Sequence, residues 1–128
     1  MSRAFTPFKF GENDCALFVA DGIKSITGVD IAADFRGKYD SRASARKLVK
    51  AITNGATIED AIEYCAAKYS LPEWKLPLFA QRGDMVTFNN EGTLLCGLIH
   101  LNGRDIVAPG ETGLRRFPIT LIERAWHV

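Results

Sequence analysis

One cysteine in this sequence stands where covalent chemistry is physically favoured. Gly11-Glu12-Asn13-Asp14-Cys15 sets a thiol directly after two residues that cap helices well, with an apolar stripe behind it. A helix N-terminus offers unpaired N–H groups and partial positive charge, which favour thiolate over thiol. The same N–H groups can hold the oxyanion of a tetrahedral intermediate. Cys15 is thus half of a nucleophilic site. The competing reading makes it a small apolar residue on the buried helix face, in phase with Phe18 and Val19. Hydrolysis would further require a base, normally a histidine held by a third polar group. The chain has two histidines. His100 falls on an expected strand and is the candidate base, with a solvent-facing role as the alternative. His127, beside the C-terminus, reads as a surface residue.

The remaining polar clusters point elsewhere. Cys15, Cys65 and Cys96 are widely spaced, with no Cys-x-x-Cys pair and no His-x-x-x-His partner. That argues against zinc and iron–sulfur sites and for free thiols in a reducing compartment. No cofactor or metal is expected. Arg36-Gly37-Lys38-Tyr39 reads as a segment that fixes a loop, with cleft lining as the alternative. Arg115 and Arg116 read as a solvated strand face. Trp74 and Trp126 serve either as interface anchors or as core.

The elements that must position Cys15 follow from periodicity. Cys15, Phe18, Val19, Ile23 and Ile26 recur at three- and four-residue steps up to Gly28, predicting a helix over 14–27. Ser41 caps a second helix with a stripe of Ala45, Leu48, Val49 and Ile52, stopped by Asn54-Gly55. Thr57 and Asp60 have capping-box spacing, although Glu or Gln is the better fourth residue. They open a third helix through Ile58, Ile62, Cys65 and Tyr69. From Arg82 the pattern turns to strands. Met85, Val86 and Phe88 begin the first, residues 89–92 form a hairpin loop, and 94–101 make the second. Asn102-Gly103 signals another hairpin, Ile106 and Val107 a third strand, and 114–118 a fourth. Residues 119–128 read as a short helix followed by a strand ending in Trp126. Helices followed by an antiparallel meander indicate the α+β class.

At 128 residues the chain is expected to be a single domain, helical over about 13–70 and strand-rich over about 83–128. Sixteen basic residues against fifteen acidic ones give a net charge of +1, which argues against nucleic acid or an anionic membrane as partner. No run of about 18 apolar residues predicts a membrane span. The first ten residues lack the apolar stretch of a signal peptide.

Phe8-Lys9-Phe10-Gly11-Glu12-Asn13-Asp14-Cys15, followed by Phe18, resembles the nucleophile segment of the NlpC-type, papain-like cysteine peptidases. There an aromatic, a glycine and an Asp-Cys pair open the central helix. Arg82-Gly83-Asp84-Met85-Val86 resembles the Gly-Asp turn and first barrel strand of that superfamily, and Cys96-Gly97-Leu98-Ile99 its next strand. Short phage-encoded relatives of unknown function are a closer match. Their pattern includes Asn13 to Phe18, Ala20-Asp21, Thr27-Gly28, Asp30, Arg36-Gly37 and Tyr39. It resumes at Gly83-Asp84, Gly97, Pro109, Gly113-Leu114 and Ala125-Trp126. The resemblance implies a papain-like fold, with N-terminal helices packed on a small antiparallel sheet or barrel.

It also implies where catalysis fails. The superfamily's histidine begins the strand two residues before the glycine matched by Gly97, and this sequence has Leu95 there. The third, orienting position falls near Val107 or Ala108, both apolar. His100 lies five residues beyond 95, an odd offset that turns it to the opposite strand face unless a bulge intervenes. The Cys15 sulfur is then expected to face aliphatic side chains. The reading implied is a non-catalytic component of a phage or prophage tail, in the tip or baseplate region. Its partners would be other tail proteins, and it would be made in the host cytoplasm and carried in the virion. Two alternatives stay open: an active cysteine hydrolase of cell-wall peptides using Cys15, and a small protein-binding module unrelated to phage.

Overall fold

The computed structural model describes residues 14–110 and 113–128. Residues 8–13, which carry part of the resemblance and the capping role expected of Asn13, lie outside the described residues. Three helices precede five strands, which makes the protein α+β. Each helix starts where a short polar side chain satisfies otherwise unpaired N–H groups. Asp14 accepts from Leu17 N at 2.8 Å and opens α1 (Cys15–Thr27). Ser41 with Ser44, and Thr57 with Asp60, form reciprocal capping boxes on α2 (Arg42–Thr53) and α3 (Ile58–Lys68).

The buried face of α1 is Cys15, Leu17, Val19, Ala20 and Ile23. This stripe is rotated from the expected one: Phe18 is only half-buried, and Ile26 is exposed. No residue of α2 is fully buried; Leu48, Val49 and Ile52 lie half-buried against the core. The outermost helix therefore leans on the others without closing onto them.

Strands β1 (Met85–Asn90), β2 (Thr93–Ile99), β3 (Asp105–Gly110), β4 (Gly113–Pro118) and β5 (Ile122–Trp126) form one antiparallel sheet in the order β4-β3-β2-β1-β5. The β1–β2 connection is shorter than the sequence suggests. Asn89 and Asn90 stay in the ladder opposite Leu94 and Thr93, leaving Glu91 and Gly92 at φ 53° and 86° as a two-residue turn.

The two sheet faces carry different cores. Met85, Cys96, Leu98 and Trp126 join the helices in one cluster. Val86, Phe88, Ile99, Ile106, Ala108, Phe117 and Ala125 form another, built almost wholly from strands. Phe88 on β1 and Phe117 on β4 have ring centroids 4.8 Å apart. These strands are three spacings apart, about 14 Å in a flat sheet, so the sheet must curl until its far face packs on itself. Gly97 permits this. A Cβ there would stand 2.6 Å from the Val107 carbonyl oxygen and 3.3 Å from the Phe88 ring.

Arg124 on β5 fastens this sheet to the helical layer. It donates to both carboxylate oxygens of Glu73 at 2.8 Å, to Glu59 and Glu63 on α3, and lies over the Trp126 ring.

Candidate functional site

Cys15 opens α1 and Cys96 sits in the middle of β2, the strand on which α1 packs. Strand alternation turns Cys96 and Leu98 toward α1, whereas Leu95, opposite Phe88, packs with the second cluster. On the helix side of the sheet β2 thus buries Cys96 together with Leu98. Leu95 and Cys96 both border the cavity that Cys15 borders, and Cys96 brings a second thiol into the same buried cluster. The hydrogen bond from Cys96 holds Cys15 below its ordinary pKa, against burial and the Asp14 charge. The same bond, with burial, pushes the Cys96 thiol up. Cys15 is the more acidic of the two.

Tyr39 completes the arrangement. Its hydroxyl donates to Asp14 Oδ2 at 2.5 Å, while Oδ1 of the same carboxylate caps α1. Burial and the Asp14 charge raise the Tyr39 pKa far above its usual range, so the phenol stays protonated and cannot serve as a base. Arg36 holds the Tyr39 loop in place by pairing with Asp30 at 2.9 Å and with Asp21 of α1 at 2.7 Å. The Arg36-to-Tyr39 segment thus both fixes a loop and lines a cleft. That cleft is a cavity of about 490 Å³ between α1, α2, α3 and β2. Asp14, Cys15, Tyr39, Cys65 and Cys96 all border it, with mostly aliphatic side chains around them. Arg42 and Arg46, one turn apart on α2, also line it.

Neither histidine reaches the cavity. The α1 helix starts over Cys96, passes Leu98 at Gly22, and ends at the Gly83 turn, where a Cβ would meet Ile26 Cδ1 at 2.9 Å. Both imidazoles belong to that far end. His100 follows the last residue of β2, four residues and about 13 Å along from Cys96. Its Nδ1 accepts from Asn102 N at 3.1 Å, and its Nε2 lies 3.3 Å from an Arg116 nitrogen. His127 is exposed at the surface and also contacts a buried acid. Its Nδ1 contacts the buried carboxylate of Asp84 at 3.1 Å, and its ring meets Trp74 edge-on. Asp84 also accepts from Trp74 Nε1, Gln81 N and Val128 N, and its own carbonyl accepts from Ile99 N. The Gly83-Asp84 turn therefore ties the start of β1 to the chain's last residues. Val107 pairs with Leu98 and is half-buried against the helix-side core, while Ala108 is buried in the other cluster. Neither offers a polar group to orient a base.

A family model described as a domain of unknown function, DUF6950, matches residues 1–128. The chain belongs to the DUF6950 family. No curated protein and no solved structure matches it. In this DUF6950 chain no group of three His, Cys, Asp or Glu side chains among the described residues is arranged to hold a metal ion. Among the same residues no helix is long and apolar enough to cross a membrane. What the site offers chemically is a buried dithiol beside a protonated phenol, without an imidazole.

Proposed function

We propose that this DUF6950 domain is a non-catalytic, papain-like relative of the NlpC peptidases that acts as an assembly component of a phage-type tail. One observation carries the loss of hydrolysis: the Cys15 thiol faces Cys96, and both histidines lie at the opposite end of α1. General acid–base help is worth roughly 10²–10⁴-fold, and among the described residues no imidazole lines the cavity to cycle a proton between this sulfur and a leaving amine. The fold assignment rests on the sequence resemblance, supported by an Asp-Cys pair opening a helix that packs across an antiparallel sheet.

An exposed apolar patch supports the assembly role. Leu76, Leu78 and Phe79, in the connection between α3 and β1, are 56%, 63% and 62% exposed. Large apolar side chains clustered on a surface mark a contact site for a partner. The connection that holds them is pinned by Trp74, whose N–H donates to Asp84.

The test has two arms. Incubated with muropeptides, the purified protein should release no product, and in cells producing tail particles it should sediment with those particles. Steady muropeptide cleavage that disappears in Cys15→Ser would overturn the non-catalytic reading. Failure to co-sediment with tails would overturn the assembly role.

A further inference from the structure

Hydrolysis leaves the two buried thiols without a task, yet their arrangement suits another reaction. Cys15 and Cys96 lie on two elements packed against each other, belong to one buried cluster, and border the same cavity of about 490 Å³. We propose that Cys15 and Cys96 form a peroxide-reactive dithiol site, in which Cys15 attacks and Cys96 resolves.

The chemistry balances with hydrogen peroxide as the only co-reactant. The Cys15 thiolate attacks one peroxide oxygen and the O–O bond breaks. Cys15 becomes a sulfenic acid, and hydroxide leaves to take up the thiol's proton as water. The Cys96 sulfur then attacks the sulfenic sulfur, forming the S–S bond and expelling a second water. Two thiols lose two hydrogens and one peroxide is reduced to two waters.

Three features suit the pair to these roles. Cys15 stands at the first position of α1, where the N-terminal N–H groups favour the thiolate that peroxide chemistry needs. Cys96 lies on β2, against which α1 is already packed, so the resolving sulfur is in place before the first step. Both side chains belong to one core cluster at the α1–β2 contact, so forming the S–S bond of about 2.05 Å requires only a local approach of α1 and β2. The cavity gives a small neutral oxidant room beside both thiols.

Cys65 supplies an internal control. It borders the same cavity from α3, but burial pushes its thiol up to about 11, and no second thiol faces it. The site is a dithiol in a reducing compartment and a disulfide in an oxidising one. Its chemistry is independent of any role in a tail and depends on the thiols alone.

The experiment treats the native full chain with hydrogen peroxide and maps its peptides without reduction. The expected product has lost two hydrogens and contains a Cys15–Cys96 linked peptide, with Cys65 still alkylatable. In Cys96→Ser, dimedone should trap a sulfenic acid at Cys15; in Cys15→Ser, the remaining thiols should oxidise at least tenfold more slowly. Cys65→Ser should behave as the parent. A circular dichroism spectrum of each variant guards against misfolding, and the parent's peptide map requires no variant at all. Oxidation of all three thiols at similar rates, a link through Cys65, or no Cys15–Cys96 peptide would each overturn the proposal.

Discussion

Thr87 lies directly across from Cys96 in the β1–β2 ladder, fully buried, and its hydroxyl has no hydrogen-bond partner among the described residues. A buried polar group left unsatisfied costs about 1–3 kcal/mol. Thr87→Val removes the hydroxyl at nearly constant shape. It should raise stability by about 1 kcal/mol, read as a higher urea midpoint at unchanged m-value. At this scale the sequence was legible for Asp14 and Cys15, because a carboxylate directly before an apolar stripe of helical period is a local signal for a helix start. It was illegible for Cys96. The matched glycine set the base position at 95, but the side-chain period of two turns 96, and not 95, toward α1. Tyr39 was read within a loop-fixing segment with cleft lining as the alternative, and its bond to Asp14 was illegible because it spans a loop whose path no local pattern encodes.

The direction of α1 explains the division between thiols and imidazoles, because a helix with its N-terminus over Cys96 and its C-terminus at Gly83 keeps the two ends apart. The helix itself was readable from its stripe and caps, while its rotation and heading depend on tertiary packing. The curl of the sheet is a similar case. Strand positions followed from the alternation of apolar residues, yet nothing local announced that the far face would pack on itself. Gly97 is the hinge of that packing. Gly97→Ala would press a methyl group against the Val107 carbonyl oxygen, a backbone atom with little freedom to retreat. Overpacking of this kind costs about 1–3 kcal/mol, so the variant should melt several degrees lower by calorimetry, with Phe88 and Phe117 displaced in its near-ultraviolet spectrum.

Several carboxylates are held below their ordinary pKa values by basic partners, one within its own loop and one across the fold. The Arg36 hydrogen bond does this for Asp30, and the Arg124 hydrogen bond for Glu73. A carboxyl group more acidic in the folded state stabilises that state above its unfolded pKa. The contribution is lost as pH falls through the folded value. The melting temperature should therefore be nearly flat between about pH 7 and 5 and drop below about pH 4. Asp30→Asn should flatten part of that drop; an unchanged acid profile would count against the Arg36 pairing. The α+β class was visible from the sequence because its helical and strand-rich halves are segregated along the chain.

The connection bearing Leu76, Leu78 and Phe79 also has a colloidal consequence. With a net charge of +1 and an isoelectric point near 7.7, the molecule has little electrostatic repulsion to hold copies apart at neutral pH. Sticky contacts through this segment then go unopposed, so light scattering should show concentration-dependent clustering that is strongest near pH 7.7. Phe79→Asp, which alters charge and greasiness together, should disperse the clusters without touching either core.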